Sequence, residues 1–264
     1  MARGRYYEGL CAFCYKCVEA CPNDAIKICE GGSSEILRQK CDNCGECTEV
    51  CPQQAKTVFG RYCTVDEALD ITKKDGAFYR RSRGGITLGG GEPLAQPVFV
   101  KELLKRAKDE YGFHTAIETS GYAKPSIITH VLEHVDFVFC DLKHIDLHRH
   151  LELTGVSNEL ILSNIKLIVD KITGAGKELV IRTLIVPALN DQMDNLLGIA
   201  SFVKSLGDYA KVELLPYHEL GVPKYRALGR KYPLEGMGIK PPSKQYVDRL
   251  KEILIRERIN VIKT

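Results

Sequence analysis

The sequence has little that would send it to a membrane or to a polyanion. No run reaches the uninterrupted apolar length of a bilayer-spanning helix, and the opening MARGRYYEGLC lacks the apolar centre of a secretory signal. Neither sign of charge prevails. Lys and Arg number 37 against 34 Asp and Glu, a formal net charge of +3, so no long-range field points to nucleic acid or an anionic bilayer as partner. What remains is a globular chain of 264 residues, 44 % hydrophobic, enough for one large domain or a large domain with a small insert.

Cysteine, by contrast, is abundant and patterned. Cys11, Cys14, Cys17 and Cys21 stand in C-x2-C-x2-C-x3-C-P order, and Cys41, Cys44, Cys47 and Cys51 repeat that order thirty residues later. Each copy closes on Cys-Pro with an alanine three residues further on, Ala25 and Ala55. This is the two-cluster ferredoxin run, in which three thiolates of a copy hold one [4Fe-4S] cube and the fourth reaches across to the other. On that pattern Cys11, Cys14, Cys17 and Cys51 form one ligand set, and Cys41, Cys44, Cys47 and Cys21 the second. Zinc sites close with four ligands in two CxxC pairs and give no reason for a duplicated C-x2-C-x2-C-x3-C-P. A disulfide framework fits neither the lack of a secretory signal nor the three cysteines left over, Cys29, Cys63 and Cys140, an odd count. Those three read as small buried hydrophobes. Iron-loaded cysteines in this number imply a reducing cytoplasm.

Between the copies, Glu30 to Ser34 reads as a turn joining short strands at Ile26–Ile28 and Ile36–Leu37, while residues 1–10 are short, basic and without periodicity. Thr64-Val65-Asp66-Glu67 is a capping box that opens a helix. From Gly84 onward strands alternate with amphipathic helices: strands at 85–88, 114–119, 136–143, 178–186 and 212–215, and helices at 98–108, after Pro125, at 158–171, after Asp191 and at 243–256. Five consecutive β/α steps predict an α/β fold with a parallel sheet or barrel. Domain boundaries follow at 1–62 for a ferredoxin-like unit and 63–264 for the β/α unit. In such a sheet reactive groups lie at the carboxyl ends of the strands. The residues there are Gly89 to Glu92, Glu118-Thr119, Asp141 with Lys143, Arg182 and His218. His144, His148 and His150 have no acidic or cysteine partner at fixed offset and read as a solvated helix face.

Five segments carry a family resemblance: Gly90-Gly91-Glu92-Pro93, His114 to Gly121, Asp141-Leu142-Lys143, Thr154 to Asn158, and Glu213 to Gly221. With the eight-cysteine insert ahead of them, they resemble the radical SAM activating enzymes of glycyl radical enzymes, the pyruvate formate-lyase activating enzyme-like group. The resemblance implies a partial radical SAM (β/α) barrel lacking its first strand, with a small α+β two-cluster ferredoxin-like insert at the N-terminus. It implies reductive cleavage of S-adenosylmethionine to a 5'-deoxyadenosyl radical that abstracts hydrogen from a glycine of a partner glycyl radical enzyme. Electrons would come from a donor such as flavodoxin or ferredoxin. It also implies that Gly90, Gly91 and Glu92 meet the cofactor's amino group, and that Asp141, Lys143, Arg182 and His218 surround the cofactor. Glu118, Thr119 and Asp141 match a monovalent-cation site of the family.

One part of the family pattern is missing. The chemistry uses a third [4Fe-4S] cluster held by a C-x3-C-x2-C loop, and these residues contain none: Cys17 and Cys21 are followed by Asp24, and Cys47 and Cys51 by Gln54. No catalytic residue is therefore assigned, and the sequence reads as starting inside a longer protein. A ferredoxin-like electron-transfer protein is the alternative reading, against which stand Glu92, Asp141, Lys143, Arg182 and His218. Smaller departures are Gly89, where serine is common, and Ala188, where the family often has glycine.

Overall fold

The computed structural model describes residues 3–262. Two compact units form: one from the chain up to Cys63 together with His218–Gly238, the other from Thr64–Tyr217 together with the tail from Ile239.

The first unit is built on a repeat. Strand β1 (Arg3–Tyr6) precedes the first cysteine run and β2 (Ile26–Ile28) follows it; β3 (Ser34–Ile36) precedes the second run and β4 (Lys56–Phe59) follows that. Each strand pairs with one from the other copy, β1 antiparallel to β4 and β2 antiparallel to β3. Neither copy can close its sheet alone. Each run winds into one short helix, Lys16–Glu19 or Glu46–Glu49. Left-handed backbone recurs at matching places: Phe13 and Asn43, Tyr15 and Gly45, Asp24 and Gln54 all have positive φ. Five of those six are not glycine, so the loop holds conformations that side chains disfavour. Residues 1–10, read as patternless, supply β1, because a four-residue edge strand is too short to show a period.

The second unit holds five parallel strands in chain order, β5 (Gly85–Leu88), β6 (His114–Thr119), β7 (Phe137–Asp141), β8 (Glu178–Ile185) and β9 (Ala210–Pro216). Helices Pro97–Asp109, Pro125–Leu132, Leu147–Thr154 with Glu159–Ile172, and Met193–Lys204 make the crossovers. Ahead of the sheet, helix Val65–Thr72 opens with the reciprocal capping box of Thr64 and Glu67. Helix Lys244–Arg256 packs on β9, and the tail then returns alongside it through a Val212–Val261 bridge.

Strand alternation divides the sheet. Ile117, Val138, Cys140, Ile181, Val212 and Leu214 are buried with Leu104, Val131, Ile165, Leu196, Ile199 and Leu254 of the helices. The register puts Glu118, Phe139, Asp141, Arg182 and Glu213 on the opposite face. The helix-covered face is the core. At the β5 edge the backbones approach closely: a Cβ on Gly85 would lie 1.8 Å from the His114 carbonyl oxygen.

The three histidines are not a solvated face. His150 and His144 are 2 % and 7 % exposed, and only His148 faces outward. His144 Nδ1 accepts from the Asp146 amide at 3.0 Å, and His150 Nδ1 lies 2.8 Å from the Val156 carbonyl. Each ring is anchored to local backbone through Nδ1, while His150 Nε2 is buried without a hydrogen-bond partner.

Candidate functional site

In the first unit the eight cysteines surround two cavities. Cys11, Cys14, Cys17 and Cys51 line one; Cys21, Cys41, Cys44 and Cys47 line the other. Each fourth cysteine comes from the other copy because the strands cross between copies. Cys14 and Cys44 are exposed, and the remaining six are half-buried. Burial raises the Cys17 thiol, and it pushes Cys47 up to about 11; the Lys56 charge opposes both shifts. Among the described residues no three His, Cys, Asp or Glu side chains are grouped to hold a single metal ion. Four thiols spread around a cavity suit a polynuclear cluster, whose iron corners each take one thiolate. The residues fit two [4Fe-4S] cubes.

The second site lies at the carboxyl end of the sheet. Gly89, Gly90 and Gly91 are exposed, and Gly90 is left-handed with φ of 98°. The Glu92 carboxylate ties this loop to the end of β6. It accepts from Thr119 Oγ1 at 2.6 Å, the Ser120 amide at 2.8 Å, Ser120 Oγ at 2.6 Å and the Leu94 amide at 3.1 Å. With its lone pairs occupied, the carboxylate holds the loop in place and leaves the glycine backbone facing outward. Next along the sheet, Lys143 Nζ and Asp141 Oδ2 form a half-exposed ion pair at 2.8 Å. Arg182, in register with Asp141 and Glu213, donates from Nη1 to Glu118 at 2.7 Å and from Nε to Glu213 at 2.5 Å. Its guanidinium stacks on Phe139 with Cζ 3.5 Å from the ring centroid. Burial acts to lower the proton affinity of Arg182, and the two carboxylates outweigh it, so the group stays cationic.

Glu92, Asp141, Lys143 and Arg182 thus share one sheet end. His218 is exposed, two residues past β9, and belongs to the unit that carries the cysteines. The spare Cys140 is fully buried, and burial raises its thiol far out of reach of ionisation. Sequence reasoning gave no role to the buried asparagines that shape this end. Asn190 donates to the carbonyls of Lys143 at 2.9 Å and Leu184 at 2.7 Å, and Asn195 donates to that of Asn190 at 2.6 Å. Asn158 donates to the carbonyls of His144 at 3.0 Å and Ile145 at 2.6 Å. Whether in a turn like Asn190, at a helix cap like Asn158 or inside a helix like Asn195, asparagine adds nothing to a hydrophobic period, and the carbonyls it reaches are set by the fold.

Comparison with known proteins gives two family models. One described as the Radical SAM superfamily matches residues 38–198, and one described as a 4Fe-4S dicluster domain matches residues 5–58. The choline trimethylamine-lyase activating enzyme of Oleidesulfovibrio alaskensis is 42 % identical over 240 residues, covering 88 % of this chain and 74 % of that protein. The 4-hydroxyphenylacetate decarboxylase activating enzyme of Clostridium scatologenes is 36 % identical over 231 residues, covering 85 % and 72 %. Among solved structures, a domain of pyruvate-formate lyase-activating enzyme from Bacteroides vulgatus superposes with a TM-score of 0.54 at 28 % identity, covering 68 % of this chain and 98 % of that one.

Proposed function

The chain belongs to the radical SAM superfamily and, within it, to the glycyl radical enzyme activating enzymes; from that membership we propose how its residues divide the work. It is an oxidoreductase whose cofactors are [4Fe-4S] clusters and S-adenosylmethionine, and its relatives activate glycyl radical lyases and decarboxylases. The bound clusters supply electrons, and S-adenosylmethionine, once cleaved, supplies the radical that takes hydrogen from a glycine of the partner enzyme. The third cluster's C-x3-C-x2-C ligands are not among these residues, so nothing further is derived through it.

The two crossed cysteine sets hold the electron-relay cubes. Exposed Cys14 and Cys44 put a ligand of each at the surface, where a soluble donor such as flavodoxin or ferredoxin can dock. The cytoplasm is the compartment proposed, since eight thiolate ligands need reducing surroundings; no helix of the described residues is long and apolar enough to cross a membrane.

The amino-acid end of S-adenosylmethionine is a zwitterion, and the observation that carries its placement is the Asp141–Lys143 ion pair at the same sheet end as the exposed Gly89–Gly91 loop. A half-exposed pair is worth less than about 1 kcal/mol and opens readily. Its two charges then match the ligand's two, Asp141 taking the ammonium together with Gly90 and Gly91, and Lys143 the carboxylate. Glu92 acts by fixing the loop, and Arg182, shared by Glu118 and Glu213, by fixing the floor. His218 is assigned to the nucleoside end on the family resemblance. Equilibrium dialysis with labelled S-adenosylmethionine tests this. Asp141→Asn and Lys143→Met should each weaken binding roughly tenfold or more, as expected for loss of a charge-assisted hydrogen bond. Undiminished binding by the double variant would sink the assignment.

A further inference from the structure

The thirty-residue repeat of the first unit extends beyond the cysteines into the paired strands, and its copies differ in character where those strands face the cavities. Under the shift Ile26 corresponds to Lys56, Tyr6 to Ile36 and Gly4 to Ser34. The antiparallel pair Ile26 and Ile36 in one sheet is therefore matched by Lys56 and Tyr6 in the other. Ile26 and Ile36 line the cavity of Cys21, Cys41, Cys44 and Cys47; Lys56, Tyr6 and Ser34 line that of Cys11, Cys14, Cys17 and Cys51. One cavity has an apolar wall, and the other has an ammonium.

That ammonium is no surface charge. Lys56 is 2 % exposed, against 7 % for Ile26. Its Nζ donates to Ser34 Oγ at 2.8 Å and lies 3.8 Å from the centroid of the Tyr6 ring. Among the described residues no carboxylate pairs with it. The Lys56 backbone amide donates to Cys51 Sγ at 3.5 Å, and its side chain lines the cavity shared with Cys11, Cys14, Cys17 and Cys51. A buried cation without a carboxylate is costly, and its twin shows that isoleucine fills the same place.

We propose that Lys56 is a fixed counter-charge for the cluster pair and makes the cube on Cys11, Cys14, Cys17 and Cys51 the easier of the two to reduce. This rests on the reading that the cysteine cavities hold [4Fe-4S] clusters. A thiolate-bound cube is anionic, and taking up one electron adds one negative charge, so a nearby cation stabilises the reduced form. Net charge and polar groups around the sulfurs are what set such potentials, and low dielectric strengthens the effect. An electron entering the pair then rests mainly on the Lys56 side.

The test is an EPR-monitored redox titration of the reconstituted full chain, with iron analysis, for wild type, Lys56→Met and Lys56→Arg. Lys56→Met should retain its iron while one midpoint moves to more negative potential. The ratio in which one electron divides between the cubes should change at least tenfold, about 59 mV for a one-electron couple. Lys56→Arg should stay near wild type. Unmoved midpoints in Lys56→Met would overturn the proposal, as would an equal shift in Lys56→Arg. So would loss of a cube from Lys56→Met, which would make the lysine an assembly residue. A wild-type preparation without four-iron signals would sink the cluster assignment itself, and this inference with it.

Discussion

Arg182 shows how a single residue is determined by what surrounds it. Its side chain is 17 % exposed and that of Glu213 only 8 %, so the pair is shielded from water and each charge depends on the other. Truncation of Arg182 strands the buried Glu213 charge, whereas removal of both leaves only Glu118 without its partner, and Glu118 is 44 % exposed and can be hydrated. Arg182→Met should therefore cost about 3 kcal/mol in stability, and Arg182→Met combined with Glu213→Leu should recover most of it. Urea denaturation of the three proteins measures this. Equal loss in the single and double variants would mean that Glu213 is satisfied elsewhere. The same residue marks where reading one position at a time falls short. The sequence places Arg182 among the polar residues of the strand ends, but Glu118 lies 64 positions away in the chain and became its partner only through strand order.

Among the elements, the β8 exit turn carries a visible strain. Ala188 has φ of 66°, in the left-handed region, and the turn survives because the Ala188 amide donates to Asp191 Oδ1 at 2.9 Å while Asp191 Oδ2 accepts from Tyr246 at 2.6 Å. A side chain in that region costs roughly 1–2 kcal/mol, part of which glycine returns as entropy of the unfolded chain. Ala188→Gly should raise the denaturation midpoint by an amount equivalent to about 0.5–1 kcal/mol and leave the fold unchanged. A lower midpoint would show that the alanine methyl packs usefully. The departure from glycine at this place is plain in the sequence, and its conformational meaning appears only in the backbone. Element boundaries follow the same division. Thr64 and Glu67 announce their helix by chemistry that is entirely local, and the strand read at 114–119 has those bounds in the structure. The histidine stretch read as a solvated helix face is helical over Leu147–Thr154, and that helix buries His150.

For the whole molecule the cysteine count makes a quantitative claim. Anaerobic reconstitution of residues 1–264 should load about eight irons, two cubes of four. Cys51→Ala should deplete the cube on Cys11, Cys14 and Cys17, and Cys21→Ala the cube on Cys41, Cys44 and Cys47, each lowering iron towards half. Iron and sulfide analysis with EPR reads this out, and unchanged iron in either variant would refute the crossed ligation. The same preparation should give no 5'-deoxyadenosine under dithionite, because no C-x3-C-x2-C loop is present to hold a cluster with an open iron. About twelve irons, or robust product, would reveal ligands outside the two runs.

The sequence by itself determined the chemistry that depends on spacing along the chain. Thiolates separated by two intervening residues can wrap one cube in a single short loop, so the cluster motif is legible without a fold, as are the β/α alternation and the Gly90-Gly91-Glu92 turn at a strand end. The tertiary structure alone decided which distant groups neutralise one another: Glu118 and Glu213 at Arg182, Thr119 and Ser120 at Glu92, and the asparagines under the strand-end loops. It also decided that Lys56, a residue type that ordinarily seeks water, is buried between thiols. The reason is physical. Burial and charge pairing are properties of the space into which a side chain is folded, and that space is enclosed by strands whose order the local sequence does not encode.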